Sequence, residues 1–168
     1  MNTKPFASEA QLVRSGRRVL KTALAQLDEP VKARYDVRGP GVVPDLVLFT
    51  KRSETVSYVV TVEFKLRNWQ RALAQAFKHR NFGNEAYVVL DDAHAASALK
   101  NLSRFEEANV GLVSVARYET VHFWHFPVPS GGRVRGCVKS EATYLSVGYQ
   151  STSPGGSPGK GASPHGKG

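Results

Sequence analysis

Along the chain, apolar side chains recur first at helical and then at strand spacing. Leu12, Leu20, Ala23, Leu24 and Leu27 lie on one helical face, which predicts a first helix from Glu9 to Leu27. Ser8 is placed to cap it, with Gln11 reaching back as the partner in a capping box. Asp28-Glu29-Pro30 ends it, because proline cannot continue a helix and restricts the residue before it. A short strand is predicted from Lys32 to Val37, then a Gly39-Pro40-Gly41 turn and a strand from Asp45 to Thr50. Lys51-Arg52-Ser53-Glu54 reads as a polar hairpin loop. Val56 to Lys65, rich in Val, Thr, Tyr and Phe, completes a meander of about three strands.

Asn68 then caps a second helix, whose apolar stripe is Trp69, Leu73, Ala76 and Phe77, with Arg71, Gln75 and His79 on an adjoining face. After the break at Asn81-Phe82-Gly83-Asn84, Ala86 to Leu90 is apolar without alternation, as in a strand buried on both faces. Asp91 or Asp92 is expected to cap a third helix reaching Ala108, and Gly111 to Ala116 gives another buried strand. Helices between buried strands imply crossovers, so the expected class is α/β: a mixed sheet flanked by helices. Val121 to Phe126 and Val134 to Leu145 suggest extra C-terminal strands. The last stretch, Ser151 to Gly168, is nearly all Ser, Gly, Pro and Lys and has nothing apolar to offset the entropy of ordering. The division is a domain over residues 1–150 and a disordered tail over 151–168.

Composition narrows the partners. A chain of 168 residues with 41% hydrophobic residues supports one domain with a single core. Its 23 Lys and Arg against 14 Asp and Glu leave a net charge of +9, which favours a polyanion such as nucleic acid, although a solvated cationic face has the same composition. Cys137, the single cysteine, cannot form an internal disulfide, which fits a reducing cytoplasm. No apolar run approaches the roughly 18 residues of a membrane span, and Met1 to Ser8 lacks the apolar stretch of a signal peptide. His122 and His125 fall on opposite faces of their strand and Cys137 has no CxxC partner, which argues against zinc.

The chemistry concentrates at Pro44-Asp45 and Glu63-Phe64-Lys65. Residues two apart on a strand share a face, so Glu63 and Lys65 project together and Phe64 turns away. Asp45 opens the neighbouring antiparallel strand, and the hairpin returns the chain so that Asp45 lies across from Glu63. Two carboxylates of this kind suit Mg2+, with Mn2+ able to substitute, because a hard cation binds through one or two carboxylates and completes its shell with water and phosphate. Such an ion would lower the charge of a phosphodiester and make the attacking water more acidic. The Lys65 ammonium would stabilise the phosphorane or position that water. A structural ion pair on a strand face is the alternative.

Pro44-Asp45 followed by Glu63-Phe64-Lys65 resembles the signature of the PD-(D/E)XK nuclease superfamily, in particular its junction-resolvase and recombination-nuclease types. The resemblance covers Glu9 to Ala116, where the predicted order of elements is that of the family's restriction-endonuclease-like core. It implies a Mg2+-dependent DNA endonuclease with Asp45 and Glu63 as metal ligands and Lys65 as a catalytic residue. It also implies an acid on the first helix that supports the metal or its water, for which Glu9 is the candidate, although acids are favoured in any first helical turn. A glutamine on the helix after the Glu-x-Lys strand is a further family feature. Gln75 is preferred over Gln70 because it sits one turn before His79 on the face carrying Arg71. Arg71, Lys78, His79 and Arg80 are candidate nucleic-acid contacts, with a solvated helix end as the alternative. DNA is the expected partner, RNA the other candidate, and a homodimer would supply selectivity that one small domain lacks. An inactive nucleic-acid-binding module on the same fold is the competing function.

Overall fold

Strand pairing around one long central strand organises the chain. In the computed structural model the described residues are 4–24, 30–35, 37, 43–52, 55–117 and 120–130. They form α1 (Glu9–Leu24), β1 (Lys32–Arg34), β2 (Leu46–Arg52), β3 (Thr55–Lys65), α2 (Trp69–His79) and β4 (Glu85–Asp91). After a 3-10 turn at Asp92–His94 come α3 (Ala96–Leu99), α4 (Leu102–Ala108), β5 (Gly111–Val115) and β6 (Val121–His125). The sheet is mixed and six-stranded, with spatial order β1-β2-β3-β4-β5-β6. β1 to β3 pair antiparallel, β3 to β5 pair parallel, and β6 closes antiparallel on β5. Both parallel joins need crossovers, which α2 and then α3 with α4 provide. The described residues thus make a mixed α/β fold of one six-stranded sheet and four helices.

The alternation of β3 assigns its side chains to two layers. Val60, Val62 and Phe64 face α1 and pack with Leu12, Leu20, Leu46, Leu48, Val89 and Val113. The other face of the sheet carries Ala86, Val88, Leu90 and Leu112 under Trp69, Ala72, Leu73 and Ala76 of α2 and Phe105 of α4. Val47, Phe49 and Val59 extend that second layer. Helices on both faces explain why β4 and β5 read as unbroken apolar runs.

Several sequence expectations change. The expected third helix is three pieces: the Asp91 carboxylate caps only the 3-10 turn, accepting from the Ala93 N–H. The chain breaks again at Asn101, whose side-chain amide donates to the Ser97 carbonyl while its own N–H bonds to Ala98. That local bond competes with the helical ladder and separates α3 from α4. Lys51 and Arg52, expected in a loop, extend β2 instead, paired with Val56 and Thr55 beyond an irregularity at Thr50/Lys51. β1 is shorter than expected, and β6 ends at His125. The first helix beyond Leu24, the Gly39-Pro40-Gly41 turn, Cys137, the strand at Val134 to Leu145 and the tail lie outside the described residues. Among the described residues no helix is long and apolar enough to cross a membrane.

The α1 start follows the expected chemistry, since Ser8 Oγ accepts from the Gln11 N–H and Gln11 Oε1 accepts from the Ala7 N–H. α1 then presses on β3 at Gly16, where an added Cβ would stand 2.5 Å from Phe64 Cε1. Phe64 is fully buried, so its ring has little room to retreat. Gly16→Ala should therefore lower stability by about 1–3 kcal/mol through overpacking, even though alanine is the better helix former by about 1 kcal/mol. A denaturant titration checks this, and a stability gain would show that α1 is free to lift from the sheet.

Candidate active site

The two strands that carry the acids are locked by their register. Leu46 pairs with Val62, and one further step along the same ladder sets Asp45 beside Glu63. β2 ends there, so the Phe64 N–H has no strand partner on that side. Asp45 Oδ2 accepts it at 2.8 Å, which fixes the Asp45 carboxylate against β3.

Lys65 gathers the acids. Its Nζ lies 3.1 Å from Glu63 Oε1, 3.7 Å from Glu9 Oε2 and 3.8 Å from Asp45 Oδ2, and it donates to the Phe64 carbonyl at 2.7 Å. Only the Glu63 contact is short enough to act as a hydrogen-bonded ion pair. Three separate pieces of chain supply the carboxylates: the first turn of α1, the residue before β2, and β3 itself. Glu63 is the buried member at 1% exposure, whereas Asp45 and Glu9 keep about a third and a half of their side chains in solvent.

Across Glu63 lies α2. His79 Nδ1 stands 3.9 Å from Glu63 Oε2, too far for a hydrogen bond, and both atoms are buried without a hydrogen-bond partner. Gln75, one turn earlier on α2, also has a buried and unpartnered Oε1. Burial pushes the Glu63 carboxyl up to about 7; the Asp45 charge adds to this, and Lys65 works against it. Burial disfavours the charge on Lys65, but Asp45, Glu63 and Glu9 outweigh it and hold the ammonium above its ordinary value. Burial lowers His79, reinforced by Lys78 and opposed by Asp45, so its imidazole is neutral at neutral pH.

These residues fit a hard divalent cation. Asp45 and Glu63 offer carboxylate oxygens, one of them, Glu63 Oε2, buried with no hydrogen-bond donor. Among the described residues no group of three or more His, Cys, Asp and Glu side chains could hold a metal alone. That donor set suits Mg2+, which takes one or two carboxylates and leaves its other positions to water and phosphate.

Of the residues singled out in the sequence, Glu9, Asp45, Glu63, Lys65 and His79 come together. His79 does not stand on a solvated face with Arg71: it is 2% exposed and turned to Glu63. The sequence signal for this is its helical spacing from Ala72 and Ala76, both buried. Arg71 and Lys78 are exposed on α2. Arg80 donates to the Ala108 carbonyl at 2.6 Å and lies over the Phe77 ring, which ties α2 to α4.

No protein-family model and no curated protein matches the chain. Among solved structures it is similar to SPO1766, a protein of unknown function from Silicibacter pomeroyi, with a TM-score of 0.59 at 12% identity. The match covers 88% of this chain and 87% of that one. At such identity the likeness shows a shared fold and nothing about activity.

The raised Glu63 carboxyl has a consequence for stability. Its proton is held more tightly in the folded chain, at about 7, than at the ordinary 4.5. The stabilisation this gives is complete below pH 4.5 and is lost as pH rises through about 7. Without divalent metal, Glu63→Gln should therefore melt several degrees above the parent at pH 8, with the gap closing toward pH 5. A lower melting temperature at pH 8 would show that Lys65 fully compensates the buried charge.

Proposed function

We propose that this protein is a Mg2+-dependent endonuclease that hydrolyses phosphodiester bonds in DNA, with Asp45, Glu63 and Lys65 at its centre and Mn2+ able to replace Mg2+. The observation that carries this reading is the buried Glu63 sharing one ammonium with Asp45 at the end of β2 and β3. The order α1, β1–β3, α2, β4, β5 supports it, because a restriction-endonuclease-like core has that order and bears its Asp and Glu-x-Lys on the same meander.

Asp45 and Glu63 would hold the metal, which supplies charge neutralisation on the scissile phosphate and a more acidic attacking water. The protein's own groups do the rest. Lys65, kept protonated by three carboxylates, places a fixed positive charge where the phosphorane gains negative charge, and its N–H groups can orient the attacking water. His79 covers Glu63 on the α2 side and is itself uncharged, so the Glu63 carboxylate sits in a medium of low dielectric where its pull on a cation is strong. Glu9 holds the Lys65 ammonium from the α1 side. Gln75 Oε1 is a spare acceptor on the same helix as His79 and is a candidate to position water. Exposed Arg71 and Lys78 are candidates for phosphate contact.

Lys65→Ala, Asp45→Asn and Glu63→Gln should each reduce cleavage of a labelled DNA panel in Mg2+ by at least about 100-fold. DNA binding should persist, and should tighten for Asp45→Asn and Glu63→Gln, since each removes a charge that repels phosphate. Cleavage by all three variants at the parent rate would sink the assignment. A parent that binds DNA but cuts no form of it in Mg2+ or Mn2+ would mark a binding module on the same fold.

A further inference from the structure

The densest concentration of like charge among the described residues lies on α1. Arg14, Arg17, Arg18 and Lys21 follow one another there, and no acid occurs between Glu9 and Leu24. Spacings of three, four and seven residues place them on one helical face, while Leu12, Gly16 and Leu20 fill the opposite, buried one. A groove of about 460 Å³ runs along this face, lined by the four cations with Val13 and Tyr35. A second, of about 330 Å³, flanks it and adds Ser15 and Arg117 to Arg14 and Arg18. The Arg17 guanidinium lies 5.0 Å over the Tyr35 ring, so the groove wall is braced from β1's side. Ser15 Oγ is buried and makes no hydrogen bond.

We infer that this α1 face is the docking surface for the phosphate backbone of duplex DNA, leading from Lys21 toward the acid cluster at Glu9. The choice of DNA as occupant rests on the nuclease reading; the surface itself rests on charge and geometry. Complementarity is the first argument, because arginine forks bind phosphate oxygens in pairs. Length is the second. At about 1.5 Å per residue the cations from Arg14 to Lys21 extend over roughly 10 Å, enough to meet about two or three phosphates of a duplex whose strands each carry one per about 3.4 Å of axis. Continuity is the third, since Lys65 Nζ lies 3.7 Å from Glu9 Oε2 at the end of the same helix. A membrane surface fits less well: an interfacial helix needs a free apolar face, and α1 has buried its own in the core.

The test reads binding alone, by fluorescence anisotropy of a labelled duplex in EDTA across a salt series. Arg14→Gln/Lys21→Gln removes two exposed cations from the ridge. Lys100→Gln/Arg104→Gln removes two exposed cations from the layer on the opposite face of the sheet, at the same cost in net charge. The ridge variant should lose about tenfold in affinity at moderate salt, and its salt slope should fall by about 1.8, or about 0.9 per lost phosphate contact. The control should keep the parent slope, and the ridge variant should melt as the parent does, while the control gives up the Arg104 contact over the Trp69 ring. If the ridge variant fails to fold, Lys21→Gln alone should lower the slope by about 0.9. Equal losses in the two double variants, unchanged binding in the ridge variant, or a parent that binds anionic vesicles and no duplex would each overturn the inference. A parent that cuts DNA while the ridge variant binds normally leaves the nuclease reading standing and removes only this surface. A parent that binds through the ridge and never cuts does the reverse.

Discussion

The buried Glu63 carboxylate is the constraint on which the rest depends. A charge at 1% exposure must be protonated, paired or bound to a cation, because taking it out of water uncompensated costs several kcal/mol. Here Lys65 stands 3.1 Å from one oxygen, and burial and Asp45 have already moved the carboxyl to about 7. The group therefore sits near the balance between its neutral and charged forms, with a second oxygen that no hydrogen bond occupies. A buried pair of this kind is often no more stabilising than two apolar side chains of similar volume, so packing alone gives no reason for a charge here.

The same strand that buries Glu63 also ties the site to the fold. Successive residues of β3 alternate between layers, so Phe64 anchors α1 while Glu63 and Lys65 face away from it. Asp45 is held by the backbone N–H of Phe64, the residue between them. α1, which packs on that same Phe64 at Gly16, brings Glu9 back to Lys65 around the end of the sheet. Displacing α1 would thus disturb the charge balance at Lys65 although no residue of the Asp45-Glu63 pair had changed.

Charge is distributed unevenly among the described residues. The acids collect at the end of β2 and β3, whereas α1 carries four cations in sequence beyond Glu9. A polyanion would be attracted along α1 and repelled at the acid cluster until a cation there reverses the local sign. Under the proposed nuclease function, attraction and chemistry would then be governed by different groups, one screened by salt and the other dependent on metal.

Much of this was legible in the chain. Alternation fixed which of Glu63, Phe64 and Lys65 share a face, and the apolar runs of β4 and β5 announced a sheet covered on both sides, because both patterns follow from local backbone geometry. The Ser8 and Asn68 caps were readable for the same reason, since a cap bonds within a few residues of itself. What the sequence left open were distances between elements. The fate of His79, buried at 3.9 Å from Glu63 instead of solvated beside Arg71, depends on how α2 rolls onto the sheet. The approach of Glu9 to Lys65 depends on how closely Gly16 lets α1 settle on Phe64. The break at Asn101 turns on a side chain competing for a carbonyl that its own backbone could have taken. Local propensity is nearly neutral on the first two, and packing between layers distant in sequence decided them, whereas the Asn101 break was settled by a bond spanning four residues.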